Sequence, residues 1–346
     1  MGALRLFLAL LVVVNHIWGP AENMLGFQAV MSFYMLSGYL MTKVVQDVYG
    51  TDARGVGRFL VNRALRLLPA YWLFAVLTLA LLLVMPPSFS WGGMVQVPAT
   101  SVDWLSNLTL IDLAWAEGVL IPPAWSLGIE ALFYIAMPLV LARSRRSVEI
   151  WAAVSLVITV ALVIDGAGFG YRYYPCYAAS LFFSLGALCH VHARALRHVA
   201  LPPFLLWPAI IVLAVLAVAS EVAGLSHLYW AYYAGAVLFA VILLTIVKQP
   251  APGRIRARVD RWFGDLAYPV FLSHFIAAGL VNVVLGWLLP AGTAVFLVAT
   301  IAVTLAISTA FVAWVDPHIQ RLRDMVRADR SLGSAAGDHD PVTVPR

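Results

Sequence analysis

The chain has 346 residues, of which 62% are hydrophobic and only 11% charged, and its mean hydropathy is +0.90. A soluble globular domain carries about 25% charged residues, so the composition excludes one and points to a polytopic membrane protein. The net charge of +5 comes from basic residues lying between apolar segments, a pattern that suits a membrane surface and not nucleic acid.

Apolar runs predict about ten spanning helices: Leu4–Trp18, Phe27–Val45, Leu68–Met85, Trp125–Leu141, Ile150–Ile164, Tyr174–His190, Pro203–Ser220, Trp230–Val247, Ala267–Leu285 and Gly292–Val315. They are long and continuous, which argues for helices over the alternating strands of a barrel. The first has no small-residue cleavage site and reads as a retained helix, not a signal peptide. An even number of spans puts both termini on one side. That side carries all but one of the 22 lysines and arginines, Arg172 being the exception, and is therefore assigned to the cytoplasm. The expected fold is an all-α polytopic bundle occupying 1–318, followed by a charged, largely disordered cytoplasmic tail, 319–346.

Outer connections carry acids and aromatics, among them Glu22, Asp103, Trp104, Asp112, Glu117 and Glu221. The longest, Pro86–Pro123, contains a semi-apolar piece, Trp104–Ala116, that suits the membrane interface. Cys176 and Cys189 lack metal or redox spacing. Gly166-Ala-Gly168-Phe-Gly170 follows no strand and is not a dinucleotide site. No metal site, phosphate-cradling loop, hydrolase elbow or zinc-protease sequence is present.

Five places hold residues able to do chemistry. Arg5 and His16 lie eleven positions apart on the first helix, roughly 16 Å along its axis. With Arg5 at one headgroup layer, His16 is held well inside the membrane, where ionisable groups point to function. His16 is either an interfacial ring snorkelling to water or a general base for a hydroxyl. Glu130 stands more than one turn into an apolar helix, where a charged, lipid-facing carboxylate costs on the order of 3 kcal/mol. It should face the interior, be protonated, or pair with a cation. Trp125 and Ser126 begin that helix, with Ser126 able to cap it. Arg63 and Arg66 share a helix face, as a phosphate grip or as anchors of a cytoplasmic helix end. Ser37-Gly38 reads first as close helix packing, and His274 as structural ahead of cavity-lining.

Taken together, Leu4-Arg5 with His16, Ser32-Phe33-Tyr34-Met35-Leu36-Ser37-Gly38, Arg63-Ala-Leu-Arg66 with Pro69, Trp125-Ser-Leu-Gly-Ile-Glu130 with Tyr134 and Pro138, and Tyr268-Pro269 with His274 resemble the acyltransferase-3 family of bacterial integral-membrane O-acyltransferases. The resemblance runs to about Asp316. It implies a multi-pass protein of the bacterial inner membrane that moves an acyl group, acetyl above all, from cytoplasmic acyl-CoA to a hydroxyl of a surface glycan or other acceptor. It maps the family's histidine to His16, the partner basic residue to Arg5 and the R-x-x-R pair to Arg63 and Arg66. Glu130 is expected to set the tautomer of His16, with Asn15, Tyr34, Ser37, Trp125, Ser126, Tyr134 and His274 as further candidates for the cavity. No permanently bound cofactor is expected; acyl-CoA is the donor substrate, and the lipid bilayer and the glycan are the other partners. Relatives usually carry several residues before the Leu-Arg pair, whereas only Met1-Gly-Ala precedes it here. With no appended extracytoplasmic domain expected, the acceptor comes to the membrane itself. The competing readings are an exporter or flippase of a glycan or acylated precursor, and a non-catalytic scaffold.

Overall fold

The computed structural model describes residues 1–18, 24–222, 230–250 and 253–335, and the chain is all-α throughout them. Glu22 and the polar end of the tail, 336–346, lie outside the described residues. Each of the ten predicted segments falls on a helix. In chain order the helices are α1 (Gly2–Ile17), α2 (Met24–Val44), α3 (Ala53–Val84), α4 (Ser101–Thr109), α5 (Trp125–Ala136), α6 (Arg145–Ile164) and α7 (Phe169–Tyr173). They continue with α8 (Cys176–Val191), α9 (Leu206–Val222), α10 (Trp230–Lys248), α11 (Arg254–Leu285), α12 (Ala294–Trp314) and α13 (Asp316–Ala335). Among the described residues, seven helical stretches are long and apolar enough to cross a membrane; α1 and the stretch Pro203–Ala219 are shorter apolar helices. Outward faces remain apolar, as at Val76, Leu83, Val157 and Ile164, as expected of surfaces solvated by lipid.

Two helices are longer than their apolar runs. The arginine-rich stretches before the third and ninth segments read as loops, yet α3 and α11 each span 32 residues, about 48 Å against a hydrocarbon core of ~30 Å. Arginine is a good helix former, and Asp52 caps α3 by accepting the Gly55 N–H, so the helix starts in water and enters the bilayer already wound. The start of α1 is fixed from another element: the Asp260 carboxylate on α11 accepts the backbone N–H groups of Gly2 and Ala3, each at 3.0 Å. This is where the first helix needs acceptors for its orphan donors.

α1 and α11 run side by side in one direction. Gly2 meets Asp260 and His16 meets His274, and both pairs are 258 residues apart. On the other side of the bundle α2 packs on α8 so closely that a Cβ at Gly38 would collide with the Phe183 carbonyl, and one at Gly186 with that of Met35. Small residues permit such backbone contact in membranes. α5 leans on α2 and α3.

The long outer connection contains α4, begun by a capping box of Thr100 and Asp103. Its polar residues Asp103, Ser106 and Asn107 are buried, while Val102, Leu105 and Leu108 are exposed. That inverted pattern fits a helix lying on the bundle with its apolar face toward the membrane interface. The Thr100 hydroxyl donates to Asp103 at 2.7 Å and holds its carboxyl below the usual range, helped by the Glu117 N–H.

Candidate active site

Three helices bring charge into the interior, and a fourth adds a hydroxyl. Arg5 from α1, Arg63 and Arg66 from α3, Ser37 from α2, and Glu130 and Tyr134 from α5 all line one cavity of about 110 Å³. Glu130 faces inward, as the cost of a lipid-facing carboxylate requires. Its Oε1 accepts the Ser37 hydroxyl at 2.7 Å and the Tyr134 hydroxyl at 2.9 Å. Arg63 is only 8% exposed. Its guanidinium lies over the rings of Phe59, at 5.4 Å, and Tyr134, at 5.9 Å, and among the described residues its Nε has no hydrogen-bond partner. Three guanidinium groups therefore share a narrow space with one carboxylate, and the excess positive charge suits an anion.

Arg5, expected beside Arg63 and Arg66, lines the same cavity as they do, and other expectations are altered. Ser37-Gly38 plays both roles weighed for it, Gly38 packing on α8 while Ser37 binds Glu130. Ser126 does not cap α5: the cap position is Ala124, and the Ser126 hydroxyl donates to the Pro123 carbonyl at 3.0 Å while lining the cavity. Trp125 packs on Tyr173 and Tyr174 and is absent from the cavity wall. Tyr34 stacks on Phe183 and lines the cavity, its buried hydroxyl without a partner among the described residues. Asn15 accepts the Gly26 N–H and ties α1 to α2.

The neighbour of His16 is His274. Nδ1 of His16 lies 3.0 Å from Nε2 of His274, and the ring planes are parallel to within 1° with centroids 5.2 Å apart. That separation is close to the largest a 3.0 Å contact allows, so the rings meet edge to edge and the hydrogen bond lies in both planes. His274 is 0% exposed, and its Nδ1 lies 3.3 Å from the Val270 carbonyl. A carbonyl only accepts, so a neutral His274 carries its proton on Nδ1 and offers a lone pair at Nε2. His16 must then donate from Nδ1, which leaves the lone pair of a neutral His16 on Nε2. Although α1 ends at Ile17, α11 continues eleven residues past His274, roughly 16 Å, so the pair sits within the bundle.

The expected pairing of Glu130 with His16 is thus replaced by His16 with His274. The reason is register: α1 follows α11, while α5 packs on α2 and α3. The lining of the arginine cavity runs to Phe33 and Phe271, whose rings are 6.5 Å apart. Phe271 is in turn 6.4 Å from the His274 ring, and Phe275 packs on both imidazoles.

A second cavity of about 460 Å³ adjoins the first and shares Arg5, Arg66, Gly264 and Tyr268 with it. Its remaining walls include Arg261 and Asp265 of α11 and Asp316, Gln320 and Arg323 of α13. Sequence reasoning missed it, because 319–346 reads as a tail. The available signal was the amphipathic spacing of Ile319, Arg323 and their neighbours, which buries one face of α13 against α3.

A family model described as an acyltransferase domain, the acyltransferase-3 model, matches residues 1–313. Among curated proteins, YrhL of Bacillus subtilis is 29% identical over 186 residues, covering 51% of this chain and 28% of that protein. Nodulation protein 10 of Rhizobium leguminosarum is 24% identical over 329 residues, covering 82% of this chain and 83% of the relative. The O-acetyltransferase OatA of Staphylococcus aureus is 26% identical over 172 residues, covering 45% of this chain and 28% of OatA. The matched region is thus less than a third of YrhL and of OatA. No solved structure matches the chain.

Proposed function

The chain belongs to the acyltransferase-3 family, and from that premise we propose that it transfers an acyl group, acetyl above all, from cytoplasmic acyl-CoA to a hydroxyl of a surface glycan or other hydroxylated acceptor. In this reading the protein crosses a bacterial inner membrane about ten times with both termini in the cytoplasm, as the one-sided distribution of basic residues supports. Arg5, Arg63 and Arg66 attract the anionic donor, and Glu130, itself held by Ser37 and Tyr134, offsets part of their charge. The pantetheine arm passes Phe33 and Phe271, whose rings turn aside, and brings the thioester to His16. The acceptor approaches from the other end of α1.

The bond changes follow from the proton positions. Nε2 of His16 takes the proton of the acceptor hydroxyl as its oxygen attacks the thioester carbonyl. The C–S bond breaks, and the leaving thiolate recovers that proton from the imidazolium, giving free CoA and the acyl ester. His274 accepts the Nδ1–H of His16 throughout. It fixes the tautomer and steadies the transient cation, the part a carboxylate takes in a triad. A variant of this scheme has His16 carry the acyl group briefly on Nε2.

The observation that carries the reading is the in-plane pair of imidazoles, one aromatic ring from an arginine-lined cavity. Its test uses purified full-length protein in detergent, with acetyl-CoA, a soluble glycan acceptor and no ion gradient. Release of free thiol together with acetylated acceptor is expected. Glycan movement across a vesicle membrane with no thiol release would contradict transfer and favour the exporter.

A further inference from the structure

The inner cavity, at about 110 Å³, is too small for a nucleotide, since sites for molecules of that size occupy roughly 300–1,000 Å³. The adjoining chamber, at about 460 Å³, falls in that range. It lies farther along α11 from His274, on the side of Arg261. Its walls are of mixed sign: the guanidinium groups of Arg5, Arg66, Arg261 and Arg323 stand with the carboxylates of Asp265, Asp316 and Asp324. A bare anion would be poorly served by so many carboxylates. A nucleotide is better matched, because its phosphates accept from arginine while ribose hydroxyls and a base amino group donate to carboxylates.

The helix that completes this chamber lies beyond the family-matched region, which ends at residue 313. It is built into the bundle all the same. Asn62 donates to the Arg323 carbonyl at 3.4 Å, and Ile319 and Arg323 are buried. Along one face of α13, Arg323 donates to Gln320 at 2.9 Å and Gln320 donates to Asp316 at 3.2 Å. This chain of bonds holds the Arg323 side chain, only 7% exposed, in the chamber wall. A pre-oriented guanidinium loses little freedom when it grips phosphate.

Building on the donor reading above, we propose that the outer chamber seats the nucleotide of the CoA donor, with Arg323 of α13 and Arg261 of α11 as the ligands of its 3′-phosphate monoester. That group carries about −1.5 to −2 charges at neutral pH and distinguishes CoA from carriers that present pantetheine through a single phosphodiester. α13 is then a donor-recognition element of this chain, and Arg5 and Arg66, shared by both cavities, face the diphosphate on its way inward.

The experiment measures equilibrium binding of CoA and of dephospho-CoA, which lacks only the 3′-phosphate, to the full-length protein in detergent by calorimetry. Wild type should prefer CoA by roughly tenfold, the scale of one charge-assisted phosphate contact. Arg261→Gln and Arg323→Gln should each weaken CoA several-fold and leave dephospho-CoA unchanged, so the preference collapses toward unity. Unchanged dephospho-CoA affinity also certifies the fold of the buried Arg323 variant, and the exposed Arg261 supplies an independent arm. An undiminished preference for CoA in the variants, or equal weakening of both ligands by Arg261→Gln, overturns the assignment while leaving the donor reading intact. Failure of the wild type to bind either ligand would instead contradict the donor reading itself.

Discussion

The arginine cavity and the histidine pair lie one aromatic ring apart and are built on opposite principles. The cavity is crowded with charge and takes its groups from several helices, three guanidinium groups sharing the space with Glu130, whose carboxylate accepts from Ser37 and Tyr134. The histidine pair contains no carboxylate, belongs to two parallel helices in one register, and is flanked by Phe271 and Phe275. The two regions divide the labour. A net positive cavity can hold an anionic donor but would disfavour a developing cation, whereas an uncharged imidazole pair can take up a proton away from those arginines.

The comparison sharpens first at His274. His274→Ala should lower kcat roughly 10- to 100-fold, less than loss of a general base itself, with the KM for acetyl-CoA little changed. His274→Gln should recover part of the loss, because its amide oxygen can still accept the His16 proton. Steady-state kinetics on detergent-purified protein would check both, and equal kinetics for Ala and wild type would reduce His274 to packing. At the other region the effect should move to KM. Arg63→Gln combined with Arg66→Gln should raise the KM for acetyl-CoA roughly tenfold and leave kcat within a few-fold, the mark of lost uniform binding. An unchanged KM would make these arginines anchors only.

The smallest effect lies outside both regions, in the outer connection. The Asp103 carboxyl is held below its unfolded value by the Thr100 hydroxyl, so its contribution is present above the unfolded pKa of ~3.9 and is lost as pH falls through the lower folded value. The protection of α4 amides against hydrogen exchange, taken relative to the intrinsic rate at each pH, should therefore fall on acidification below about pH 4. Thr100→Val should flatten that dependence while leaving transfer activity unchanged. A pH dependence identical to wild type would remove the capping box from the account.

Much of the frame was legible because lipid makes hydropathy a strong signal: each predicted apolar run falls on a helix. The arginine-rich starts of α3 and α11 were not, since a row of charges reads as a loop unless a cap such as Asp52 marks where the helix begins. That Glu130 faces the interior followed from the energetics of a buried carboxylate, but its partners did not. Ser37 is 93 residues away in sequence, and nothing local selects it over His16. The His16–His274 contact spans 258 positions and depends on the parallel register of α1 and α11, which Asp260 sets from outside the motifs. α13 was hidden for a different reason. Its burial is only one face of a polar helix, a pattern that a charged terminal stretch also shows when nothing covers it.

Chemistry and donor holding are most directly separated with His16→Ala, measuring CoA affinity and single-turnover acetyl transfer on the same preparation. A general-base role for His16 requires wild-type affinity for CoA with transfer reduced roughly 10²- to 10⁴-fold, the range for loss of such a group. Transfer persisting at the wild-type rate would contradict it.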